Sequence, residues 1–129
     1  MRKVLMALAL IAGTATPAAA EFLISFTWGD TPACNTGKAK RTGNPQFVVK
    51  GLPAGTDTVQ FRLKDLNVPG YNHGGGKVRM GQNGTVPAGV FKYKGPCPPG
   101  EVHTYEWTAT AKKGNKTLGT ARAARKFPE

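Results

Sequence analysis

Apolar and polar residues alternate with a period of two along much of this chain. In the segment 22–28, Phe22, Ile24, Phe26 and Trp28 fall on one side, the pattern of a strand with one buried face. A second strand is predicted from Gln46 to Lys50, with Phe47 and Val49 together. A third runs from Thr58 to Asp65, with Val59, Phe61 and Leu63 on one face and Asp65 continuing that row. Lys77 to Met80 and Val86 to Tyr93 are shorter strand candidates. The β-branched and aromatic run Val102 to Thr108, extended to Ala111, predicts the last core strand. It points His103, Tyr105 and Trp107 one way and Thr104 and Glu106 the other.

Gly, Pro and Asn separate these segments. Gly29 to Pro32, Leu52 to Thr56 and Lys112 to Lys116 read as turns. Cys34 to Asn44 has no periodicity and reads as a loop, as does Leu66 to Gly76. In Gly95-Pro96-Cys97-Pro98-Pro99-Gly100, three prolines fix φ and two glycines free it, so this loop loses little entropy on folding. Thr117 to Lys126 is rich in alanine, which favours helix. A short C-terminal helix is expected there, with Thr117 as N-cap and Arg122, Arg125 and Lys126 in its last turns. Many short strands with Gly/Pro turns define a mostly β, antiparallel sandwich or barrel-like fold.

The first twenty residues break this pattern. Arg2 and Lys3, an apolar run from Val4 to Ala12, and Ala18-Ala19-Ala20 make a secretory signal peptide, with cleavage expected after Ala20. The apolar run is shorter than the ~20 residues a membrane helix needs. Residues 21–129 then form a single domain in the periplasm or outside the cell. In an oxidising compartment Cys34 and Cys97, the two cysteines, pair most simply with each other; two free thiols are the alternative.

The chain carries 18 Lys+Arg against 7 Asp+Glu; without Arg2 and Lys3 the balance is 16 against 7, or +9. Such charge favours anionic partners, including a peripheral contact with an anionic membrane, although its even spread also suits plain solubility. No basic-aromatic motif points to nucleic acid.

Little in the sequence suggests catalysis. The sole serine, Ser25, lies in a strand, and the cysteines pair, so a hydrolase has no evident nucleophile. Two histidines and two cysteines lack zinc-site spacing, and no cofactor is expected. What remains is a set of hydrogen-bonding groups. His73 sits ahead of Gly74-Gly75-Gly76, whose backbone N–H groups could approach an anion. His103 and Tyr105 share a strand face, and Asp65 could orient a histidine. Each histidine also has an ordinary structural reading, as a paired hydrogen-bonding group, and at Asp65 the strand could simply emerge into solvent.

The run Tyr93-Lys94-Gly95-Pro96-Cys97-Pro98-Pro99-Gly100, followed by His103-Thr104-Tyr105-Glu106-Trp107, resembles a conserved region of the phosphatidylethanolamine-binding protein family, also called the Raf kinase inhibitor protein family. Asp65-Leu66-Asn67-Val68-Pro69 with His73 downstream is similar to the family's Asp-Pro-Asp-x-Pro and His-Trp region. The resemblance covers about 44–111. It implies an antiparallel two-sheet β-sandwich with a small pocket for anionic groups such as phospholipid headgroups. Matched residue by residue, the pocket would contain Asp65, His73, Gly95, Pro96, His103 and Tyr105. This chain departs from the family pattern at Leu66, at Asn67, at Gly74 in place of Trp, and at Thr104 in place of Arg.

The expected function is therefore an exported, non-catalytic binding protein for an anionic small molecule or phospholipid headgroup. An interaction or inhibitor protein, acting on an envelope partner through its basic surface, is the alternative. A hydrolase stands behind both.

Overall fold

The computed structural model describes Gly13 and residues 20–129; the signal peptide assignment falls outside the described residues. Nine strands form in chain order: β1 (Leu23–Phe26), β2 (Arg41–Gly43), β3 (Phe47–Lys50), β4 (Thr58–Asp65), β5 (Gly75–Arg79), β6 (Gly84–Val86), β7 (Lys92–Lys94), β8 (His103–Lys113) and β9 (Lys116–Phe127). They make three antiparallel sheets, ordered β5-β4-β8-β9, β1-β3-β6 and β2-β7.

The period-two rows become the core. Ile24 and Phe26 of β1, with Trp28 just beyond its end, meet Val59, Phe61, Leu63, Tyr105 and Trp107 of the four-stranded sheet. Phe47 joins the two layers. Its ring stacks on Phe61 at 4.4 Å between centroids and meets Trp107 edge-on at 5.1 Å. All three are fully buried, and each contributes about 1.5–3 kcal/mol of apolar transfer free energy, an upper bound if the unfolded chain is compact. Trp28 contacts Phe26, Tyr105 and Phe127 edge-on, and its Nε1 donates to the Lys126 carbonyl at 2.7 Å.

Three expected elements differ. The strand expected from Val86 to Tyr93 is broken by a turn at 88–91 between β6 and β7, where Pro87 has no N–H to donate and Gly89 takes a φ of 78°. The segment expected as a C-terminal helix is strand β9, and no helix occurs among the described residues. Helix propensity separates ordinary residues by at most about 0.7 kcal/mol each. A ladder along almost all of β8 outweighs it. The alanines serve as small inward residues: Ala121 is buried and Ala123 half-buried beside Trp107, while Arg122, Ala124 and Lys126 face out. The segment Cys34 to Asn44, expected as loop, contains β2, which pairs with β7. Its three residues are too few for periodicity to register.

The cysteine pairing is present: Cys34 and Cys97 form a disulfide across a sequence separation of 63. It ties the proline loop before β8 to the segment after β1.

Candidate functional site

The end of β4 and the start of β8 place the polar residues. Antiparallel register sets Asp65 opposite Tyr105, and His103 lies two residues before Tyr105 on the same buried face. Asp65, His73 and His103 are each about 95% buried, so their polar atoms need partners.

Asp65 finds them on both oxygens. Its Oδ1 accepts from the backbone N–H of Asn67 at 2.9 Å and of Val68 at 3.2 Å. Its Oδ2 lies 2.6 Å from Nδ1 of His103. On the far side of the ring, Nε2 of His103 lies 2.8 Å from Oε2 of Glu101, whose side chain is largely exposed. His103 thus bridges two carboxylates. The Glu101 hydrogen bond, and next the Asp65 bond, hold its pKa above the usual 6.5.

His73 is held by backbone alone. Its Nδ1 donates to the Lys94 carbonyl at 2.7 Å, and its own carbonyl accepts from Lys94 N–H at 2.9 Å. Burial lowers its pKa below 6.5, so at neutral pH Nε2 is an acceptor. Burial, and next the Asp65 charge, keep Tyr105 a neutral phenol.

Asp65, His73, His103 and Tyr105 line one cleft of about 190 Å³, rimmed by Cys97, Pro98 and Pro99. Gly95 and Pro96 do not reach it. They line a separate cleft of about 200 Å³ beside Cys34, Lys40 and Thr42. Gly95 is needed for packing, because a Cβ there would lie 2.9 Å from Thr42 Cγ2. The glycines after His73 serve strand pairing: Gly75 and Gly76 belong to β5, and a Cβ on Gly75 would lie 1.7 Å from the Phe61 carbonyl oxygen.

The departures from the family pattern have local answers. Asn67 Oδ1 accepts from Thr104 N–H at 2.9 Å, pinning the loop to β8. Gly74 puts no ring directly after the histidine; Tyr71, two residues before it, lies edge-on to His73 at 4.6 Å and lines the same cleft. Glu101 and Tyr71 were missed as site residues. Extending the alternation of His103, Tyr105 and Trp107 back two positions would have found Glu101; Tyr71 lay in a loop without period. Among the described residues, no group of His, Cys, Asp and Glu is arranged to hold a metal ion.

No protein-family model and no curated protein matches the sequence. Solved structures do match the fold. A phosphatidylethanolamine-binding protein homologue from Chlamydia trachomatis superposes with a TM-score of 0.59 at 13% identity, over 84% of this chain and 97% of that one. Escherichia coli YbcL, described as a new member of the mammalian family, gives 0.57 at 15% identity, over 84% and 98%. The chain therefore has the fold of the phosphatidylethanolamine-binding proteins, as the motif resemblance implied.

Proposed function

We propose that this chain is an exported, non-catalytic member of that family whose cleft takes a phosphorylated headgroup. The observation that carries the reading is the convergence of Asp65, His73, His103 and Tyr105 on one cleft beneath a proline loop. The disulfide is compatible with export into an oxidising compartment. At about 190 Å³ the cleft is smaller than the ~300–1,000 Å³ of usual ligand pockets. That favours a headgroup fragment over a whole lipid.

Glu101 refines the mode of binding. Its carboxylate occupies Nε2 of His103, where a phosphate oxygen would bind. A ligand phosphate would displace Glu101 and accept from the charged imidazole, while His73 Nε2 and Asp65 suit a donor such as an ammonium or hydroxyl on the same ligand. A zwitterionic phosphoethanolamine-type group fits both requirements.

Phosphoethanolamine and inorganic phosphate titrated separately against labelled protein test this reading. The ring resonances of His73 and His103 should both shift with phosphoethanolamine at millimolar concentration. If neither ring responds to either compound, the headgroup reading is wrong.

A further inference from the structure

The outer face of the four-stranded sheet is uncovered among the described residues and strongly basic. Outward positions on β5 and β4 carry Lys77, Arg79, Arg62 and Lys64; those on β8 and β9 carry Lys112, Arg122 and Lys126. Glu106 is the single acidic residue among these outward positions. The spread of charge along the sequence concealed this face, because alternate residues of distant strands assemble it.

The face also has relief. A groove of about 420 Å³ crosses it, floored by Thr108 and Thr110, flanked by Arg62, Lys64 and Arg122, with Glu106 as its one acidic lining residue and Pro69 to Asn72 as a raised wall. Register aligns Arg62, Thr108 and Arg122 in one cross-strand row. Two guanidinium-bearing residues therefore stand two strand spacings apart, about 10 Å, with a hydroxyl between them. Arg62 Nη2 donates to Asn72 Oδ1 at 3.2 Å, joining the wall to the floor. The Arg122 Nε to Glu106 Oε1 distance is 3.8 Å, and the Arg122 side chain is 61% exposed, so its guanidinium retains free donors.

We propose that this groove binds a linear acidic polysaccharide. Guanidinium groups recognise carboxylate or sulfate in a planar fork, and the threonine hydroxyls match sugar hydroxyls as donors and acceptors. The groove's wall favours a chain over a lipid plane, which could not follow the recess. Among the described residues, the exposed large apolar side chains are Leu23, Leu66, Val68, Tyr71, Val90 and Val102; none of these lies on the floor to insert into a membrane. Nucleic acid would call for a series of stacking aromatics, and Tyr71 is the sole aromatic lining the groove. This site lies on the opposite face of the sheet from Asp65 and His103, and it stands whether or not the headgroup reading does.

Polygalacturonate and heparin, with neutral dextran as control, serve as probes at 150 mM salt, roughly physiological ionic strength. The Arg62→Gln/Arg122→Gln protein should lose at least about tenfold in affinity, the cost of removing two charge-assisted contacts. Lys38→Gln/Lys40→Gln, which removes the same charge from an exposed loop, should lose less than about twofold, as expected for screened charges outside the contact. Thr108→Val keeps every charge and should still weaken polymer binding. Equal losses in the two double variants, with Thr108→Val unchanged, would mean a diffuse ionic cloud and overturn the proposal. Tight binding to vesicles containing anionic lipid, lost in Arg62→Gln/Arg122→Gln while polymer binding is absent, would overturn it in favour of a membrane surface.

Discussion

Asp65 and His103 are joined at 2.6 Å between Oδ2 and Nδ1, although 38 positions separate them in sequence. With a carboxylate at each ring nitrogen, the charged imidazole donates from Nδ1 to Asp65 and from Nε2 to Glu101. Two antiparallel strands and one Asx turn suffice to build it.

The two histidines should give stability a maximum near pH 6.5. His103 has a raised folded pKa, so its stabilisation is complete below its unfolded value of about 6.5 and is lost as pH rises through the folded value. His73 has a lowered folded pKa, so stability falls as pH drops from about 6.5 through that value. Urea midpoints measured from pH 5 to 8 should trace this peak. Glu101→Gln should flatten the alkaline side, and a His103 ring titrating below 6.5 by NMR would refute the assignment.

Removing the Glu101 carboxylate should strengthen anion binding. An exposed ion pair is worth up to about 1 kcal/mol, so Glu101→Ala should bind phosphoethanolamine up to about fivefold more tightly at pH 6 by calorimetry. Weaker binding would show Glu101 to be part of the receptor and not an occupant of its place.

Loss of the disulfide should act on both the fold and the cleft. Closing the 63-residue separation stabilises by about 4 kcal/mol in the chain-entropy model. Cys97 also accepts from the Thr36 N–H at 3.3 Å and rims the cleft. Cys34→Ser/Cys97→Ser should therefore lower the urea midpoint and broaden the resonances of Tyr105 and His73. An unchanged midpoint would count against a stapling role.

Gly75→Ala should destabilise by about 2–3 kcal/mol, in the range of overpacking within a close-packed site. Its Cβ would overlap the Phe61 carbonyl, which forces β5 from β4 and displaces His73, two residues before it. Thermal unfolding and loss of the His73 response to ligand would report the two effects. A stable protein with His73 unmoved would mean that β5 pairs elsewhere.

Most of the core was legible locally. The alternation from Thr58 to Asp65 predicted β4 at its full length, because a half-buried strand writes its two faces directly into sequence. The same rule placed His103, Tyr105 and Trp107 together inside. It failed for Lys116–Phe127, where small inward alanines make a weak pattern and pairing with β8 decides the conformation. Motif resemblance grouped Asp65, His73, His103 and Tyr105 with Gly95 and Pro96; the first four line one cleft, and the turn of the loop carries Gly95 and Pro96 to a separate one.

The sequence by itself determined a β-rich chain, its inward aromatic rows and the strand faces that Asp65 shares with Leu63 and His103 with Tyr105, since strand alternation is a nearest-neighbour property. The tertiary structure alone decided that Glu101 closes the far side of His103, that Tyr71 lies edge-on to His73, and that basic residues of four strands share one outer face. These depend on strand register and loop course, which bring together positions whose separation along the chain carries no signal of contact.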